Sequence, residues 1–142
     1  MGRSVIAILA GIVVGLVTLS VVQMLGHMIY ETPANLNIDD KVAMAAYMET
    51  VPVGSLLMVL LSYAGGAFLG GLVAARISTG KPILHAMIIG VLLMLAGIAN
   101  FMMLPHPTWF LIASVPAFIL MAYLGGITGR RLGGKGSGVL MG

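Results

Sequence analysis

Hydrophobic and polar positions along this chain fall into long blocks. Four uncharged apolar runs, at about 5–29, 53–75, 83–104 and 108–128, are each about 20 residues or longer, the length a helix needs to cross a hydrocarbon core of about 30 Å. Between the first two lies the one sizeable polar stretch, 30–52. There Thr32-Pro33 breaks the helix and Asn35 and Asn37 favour turns. Asn37 or Asp39 is then placed to cap a short helix through about Thr50, with Val42, Met44, Ala45, Tyr47 and Met48 as its apolar surface. The other connections are tight: Ile77 to Pro82, and Leu104-Pro105-His106-Pro107. Pro52 opens the second run where proline costs little, Pro116 interrupts the fourth, and Trp109 stands at an expected membrane interface. The pattern predicts an all-α fold, a four-helix transmembrane bundle, followed by a flexible basic tail over 130–142. A cleaved leader is the competing reading of residues 1–29, but the apolar run is too long and no A-x-A site closes it.

Within the runs, small residues recur at helical spacing. Gly66, Ala67, Gly70, Gly71 and Ala74 share one broad face of the second span, while Leu57, Leu61, Phe68 and Leu72 point elsewhere. Gly11, Gly15, Thr18, Val22 and Gly26 make a stripe on the first span, and Ala86, Gly90, Leu93, Gly97 and Asn100 one on the third. In lipid there is little hydrophobic gain from helix association, so close backbone approach must hold helices together. Gly11, Gly15, Gly66, Gly70, Gly71, Ala74, Gly90, Gly97, Gly125 and Gly126 are therefore the expected packing residues. The end of span two, Gly70-Gly71 to Ile77, also resembles the end of span four, Gly125-Gly126 to Leu132, and Ala10 to Leu16 resembles His85 to Val91. Two hairpins repeated in parallel would give that pattern.

Composition sharpens the class. Of 142 residues 60% are hydrophobic and 8% charged, with a mean hydropathy of +1.12, far from the average soluble chain of about one quarter charged. With no cysteine, disulfides, thiolate metal sites and cysteine nucleophiles are excluded. Arg3, Arg76, Lys81, Arg130, Arg131 and Lys135 fall on one side of an even-numbered topology, and Lys41 alone joins Glu31, Asp39, Asp40 and Glu49 in the polar stretch. The excess of lysine and arginine on cytoplasmic loops then puts both termini in the cytoplasm, and the net charge of +3 reflects topology, with no nucleic acid as partner.

Four quoted segments, GHMIYETPANL (Gly26 to Leu36), AYMETVPVGSLL (Ala46 to Leu57), YAGGAFLGGLVAARI (Tyr63 to Ile77) and GIANFMMLPHPTWF (Gly97 to Phe110), resemble a family of small, functionally uncharacterised bacterial four-span integral membrane proteins. The resemblance covers nearly all of the chain and implies a multi-pass protein of the bacterial inner (plasma) membrane. It implies no catalytic residues.

Candidate chemistry gathers at the outer ends of the spans. Gln23, His27 and Glu31 form an i, i+4, i+8 series, Asn100 is expected at a similar depth, and His106 sits on the turn beyond. Polar groups within a bilayer are costly unless paired, so the expected pairs are Gln23 with Asn100, and His27 with a backbone carbonyl or Glu31. A metal on His27, Glu31 and His106 would have only two ligands at helical spacing and no HExxH element, so no metal site is assigned. Haem needs two histidines at one depth on facing helices; His27 with His106 is the sole pair, and His106 lies in a proline turn, so no cofactor is assigned either. Ser55, Ser62 and Ser114 have no base or acid beside them in sequence and are expected to bond the carbonyl four residues back. GGAFLGG lacks the GK[ST] ending of a phosphate loop, and the 12 methionines form no Met-x-x-Met path.

These features predict a protein that is not an enzyme: an accessory or scaffold subunit that meets other membrane proteins, or further copies of itself, through glycine-rich faces. The alternative is a small oligomeric transporter or channel for a small solute or ion, centred on Gln23, His27 and Asn100. Against ion coupling, the spans hold no acid or base at mid-depth.

Overall fold

In the computed structural model, residues 1–139 are described, with side chains placed through Gly134. The chain is an all-α bundle of α1 (Gly2–Ile29), α2 (Lys41–Thr50), α3 (Val53–Ile77), α4 (Pro82–Met103) and α5 (Thr108–Val139). Four of these, all but α2, are long and apolar enough to cross a membrane, which makes the chain a multi-pass membrane protein. Each helix begins and ends for a local reason. Pro52 and Pro82 stand at the starts of α3 and α4, where a missing N–H matters least. Tyr30, Ser78 and Leu104 turn to extended backbone and stop α1, α3 and α4.

The short helix α2 is capped by Asp40, whose Oδ1 accepts from the N–H groups of Val42 (3.0 Å) and Ala43 (3.2 Å). Neither Asn37 nor Asp39, the residues expected from sequence, does this. Asn37 Oδ1 instead accepts from Asp39 N–H at 3.1 Å, and that turn delays the helix by one residue. On α2 only Met44 is buried, and Met48 packs against the core.

Helix α3 is the middle of the bundle. It packs against α1, α4 and α5; α4 also touches α1 and α5, but α1 and α5 do not meet. The glycines set these contacts. On α1 and α3, a Cβ added to Gly11 would stand 2.8 Å from Gly70 O, and one on Gly66 2.8 Å from Gly15 O, an antiparallel crossing of two small-xxx-small pairs. Between α3 and α5, Gly125 lies on Phe68 O, Gly129 on Leu72 O and Gly133 near Arg76 O, a parallel register repeating every four residues. The antiparallel pair α4–α5 closes through Gly90 on Ala122 and Gly126 on Ala86, both within 2.7 Å of a built Cβ, with Gly97 under the Phe118 ring.

Two features differ from the sequence reading. The single broad face expected on α3 divides: Gly66, Gly70 and Ala74 meet α1, whereas Gly71 lies on Ala122 O of α5, beside the backbone of Phe68 and Leu72. Two neighbours approach one helix from different sides, so one wide stripe serves two seams. The fourth span was expected to stop near Thr128, with 130–142 as tail, yet α5 remains helical to Val139. Glycine disfavours helix by about 1 kcal/mol per residue, but Gly129 and Gly133 lie against α3 and gain close backbone contact in return. The last part of that expected tail, 140–142, lies outside the described residues.

Candidate functional site

Gln23, His27, Glu31, Asn100 and His106, the polar residues singled out from sequence, do not form one cluster. Helices α1 and α4 run parallel and touch where Gly11 meets Ile89 and Gly15 meets Leu93. Beyond Gly15 they leave a lateral cleft of about 220 Å³, walled by Leu16, Leu19 and Gln23 on one side and Leu93, Ala96, Gly97 and Asn100 on the other, with Tyr63 of α3 as its floor.

Gln23 and Asn100 line the same cleft, but each bonds to α3 and not to the other. Gln23 Nε2 donates to Ser62 Oγ at 3.2 Å, and Ser62 Oγ donates in turn to Val59 O. Asn100 Nδ2 donates to the Tyr63 hydroxyl at 3.4 Å, longer than the usual 2.7–3.2 Å and correspondingly weak. The expected Gln23–Asn100 pair is replaced because α3 lies between α1 and α4 on the floor and reaches both amides first. Tyr63 itself is held by rings: it stacks on Phe118 at 4.8 Å, with Phe101 edge-on at 6.0 Å and Phe110 at 6.1 Å.

The other three members stand apart. Glu31 cannot continue the i, i+4 series from His27, since α1 ends at Ile29 and Tyr30 turns to φ −116° and ψ 90°. His27 and Glu31 are exposed, and neither side chain makes a hydrogen bond among the described residues, so the expected pairing of His27 is not formed. His27 borders a shallow recess with Gly26, Ser55 and Met58. His106 is part of the ring cluster, stacked on Phe110 at 5.2 Å and edge-on to Phe101 at 5.1 Å. Its Nδ1 lies 2.9 Å from Leu104 O; a carbonyl only accepts, so Nδ1 carries the proton. Among the described residues no three of His, Asp or Glu converge as metal ligands would.

Ser62 and Tyr63 are the residues that sequence reasoning under-read. Tyr63 is three residues before Gly66 and seven before Gly70, on the same small-residue seam, and a polar side chain on a seam must find a partner across it. Ser114 bonds Phe110 O at 2.7 Å, four residues back as expected, whereas Ser62 reaches Val59 O, three residues back, and the Ser55 hydroxyl makes no hydrogen bond among the described residues. The cleft thus offers two amides, each with a carbonyl in no other hydrogen bond among the described residues, and a phenol, over an apolar wall. Such a lining can hold a neutral hydrogen-bonding group; it has no carboxylate, amine or imidazole with which to move a proton near neutral pH.

Comparison with protein-family models, with curated proteins and with solved structures finds no match to this chain.

Proposed function

We propose that the chain is a non-catalytic accessory or scaffold subunit of a bacterial inner membrane, a member of the small four-span family it resembles, with both termini in the cytoplasm. The observation that carries this reading is the uneven covering of the spans. The most apolar stretch of α1 is 17% buried within the chain, against 33–39% for the other three, and α1 touches only α3 and α4. Its side turned away from the bundle, from Val5 through Leu9, Val13 and Val17 to Met24, is an exposed apolar face broken only by Ser20. The glycines build the scaffold and do not form its contact surface. Gly11, Gly15, Gly66, Gly70, Gly71, Gly90, Gly97, Gly125 and Gly126 are all occupied by neighbours inside one chain, so another subunit meets larger side chains such as these.

Crosslinking in native membranes, followed by native mass spectrometry in mild detergent, tests the proposal. A second copy or another membrane protein held on the α1 face is expected, and bulky polar substitutions at Leu9 and Val13 should release it. A lone monomer throughout would overturn it. Orientation rests on the charge distribution, and a C-terminal reporter active only outside the cytoplasm would reverse it.

The cleft favours a second reading, the passage or holding of a small neutral solute. Gln23 and Asn100 lie on its two walls, with Tyr63, which Asn100 bonds, also in the lining. Liposome flux of small neutral solutes that falls on Asn100→Leu and Gln23→Leu would support that reading, and unchanged flux would remove it.

A further inference from the structure

The cleft between α1 and α4 has hydrogen-bonding positions that the chain itself does not fill. Gln23 uses one N–H on Ser62 and Asn100 one on the Tyr63 hydroxyl, but neither amide carbonyl accepts a hydrogen bond among the described residues. The Tyr63 hydroxyl proton has no acceptor among them either. Tyr63 is 2% exposed and stacked on Phe118, so the ring cannot swing out to find one. Turning the Asn100 amide over would let Tyr63 donate to its carbonyl and would free an N–H in exchange. Either way the pair leaves one donor and one acceptor open.

The rest of the lining is Leu16, Leu19, Leu93, Ala96 and Gly97, with no charged side chain. Toward mid-span the cleft closes where Gly15 meets Leu93, and on the side away from α3 no helix covers it, because α5 does not touch α1. Leu16, Ala96 and Asn100 are accordingly exposed. Gln23 lies six residues before Ile29, about 9 Å of helix, and Asn100 three before Met103, about 5 Å. The polar groups thus sit just inside the end of the spans, and a ligand reaches them sideways from the bilayer.

Building on the reading of this cleft as a holder of a neutral group, we propose that it binds the free hydroxyl end of an uncharged long-chain lipid alcohol, which enters between α1 and α4. The hydroxyl lies against Asn100 and Tyr63, giving its proton to one and accepting from the other, and the Gln23 carbonyl on the facing wall is open to a second hydroxyl. Other lipid groups match less well. An ester carbonyl only accepts, an ammonium only donates, and a phosphate brings charge that no cation of the lining offsets. A hydroxyl does both with a single atom. The volume agrees: at about 30 Å³ per water in the liquid, 220 Å³ is the space of about seven waters, enough for a hydroxyl and the first carbons of its chain along Leu16 and Leu93. The remainder of the chain stays among the acyl chains of the bilayer.

The test uses the full-length protein in liposomes of phosphatidylcholine, which has no free hydroxyl, and a hexadecanol carrying a photoreactive diazirine near its hydroxyl, with the methyl ether of the same probe for comparison. The alcohol is expected to label α1 and α4 saturably around Leu16, Leu19 and Leu93. The ether cannot donate and should label about threefold less, the worth of a typical hydrogen bond in a bilayer. The wider groove of Leu57, Leu61, Ala113 and Pro116 between α3 and α5 has no polar side chain and should take both probes alike. Asn100→Leu should bring the alcohol down to the level of the ether, and Ala96→Phe, which adds a ring at the exposed rim, should block both. Equal labelling of the cleft by alcohol and ether in the wild type overturns the proposal and requires no variant to fold. Displacement by excess dioleoylglycerol or by farnesol identifies the natural alcohol as a glyceride or an isoprenoid, and displacement by neither overturns the lipid. Flux of glycerol without labelling would leave the passage of small solutes standing and remove this site, whereas labelling without flux makes the cleft a holding site for the alcohol.

Discussion

The crossing of α1 and α3 gives the most direct measurement of how this bundle is held. A Cβ on Gly70 would stand 2.7 Å from Gly11 O and 3.0 Å from Ile89 Cγ2, whereas ordinary contact begins at 3.4 Å, a shortfall of 0.7 Å (3.4 minus 2.7). The carbonyl belongs to a helix backbone, so relief requires α1 as a whole to move away. A gap of that size forfeits a quarter to a half of each dispersion contact, and for a seam of on the order of 30 atom pairs at 0.1–0.2 kcal/mol the loss is about 1–3 kcal/mol. Alanine recovers about 1 kcal/mol through its better helix propensity, so Gly70→Ala should cost about 2 kcal/mol or less. Valine recovers less and adds two methyl groups to the clash, so Gly70→Val should cost about 3 kcal/mol. Gly2 has nothing within 4 Å of a built Cβ and supplies the control. Unfolding by added SDS, followed by far-ultraviolet circular dichroism and by the single Trp109, should show Gly70→Val unfolding at a clearly lower SDS fraction, with Gly2→Ala unmoved. If Gly70→Val unfolds alongside the wild type, backbone contact is not what joins α1 to α3.

Three further outcomes follow from particular bonds. Asp40→Ala removes the cap of α2 and should cost about 1 kcal/mol there, read as faster amide exchange at Val42 and Ala43 with the SDS transition unchanged. A double-mutant cycle of Gln23→Leu with Ser62→Ala should give a coupling of about 0.6 kcal/mol, typical of hydrogen bonds between membrane helices, while Gln23→Leu with Asn100→Leu should show none. Gly129→Leu should destabilise at least as much as Gly70→Val because its side chain would enter the Leu72 backbone; no loss there would mean α5 does not pack on α3 beyond residue 128.

The site was less legible than the fold, and the difference shows in single residues. Gln23 and Asn100 could be named from one fact, that an amide in an apolar span needs a partner. Naming the partner required knowing which helix lies between them, and α3 supplied Ser62 and Tyr63. The series Gln23, His27 and Glu31 failed at its last member because periodicity counts only while the helix lasts, and α1 stops at Ile29. The aromatic cage around Tyr63 joins residues from α3, α4, α5 and the turn carrying His106, and no local spacing relates them.

What the amino-acid order determined by itself is the membrane class, the four spans and the proline-limited turns. Each follows from terms that act on one segment alone: the cost of a charge in hydrocarbon, the length needed to cross it, and the missing N–H of proline. Tertiary structure decided which neighbour each small residue meets, that the face of α3 serves two helices, and that α5 persists through its glycines to Val139. Those depend on pairwise backbone approach between distant parts of the chain. A glycine shows only that something can come close, and what does come close is set by how all four spans pack together.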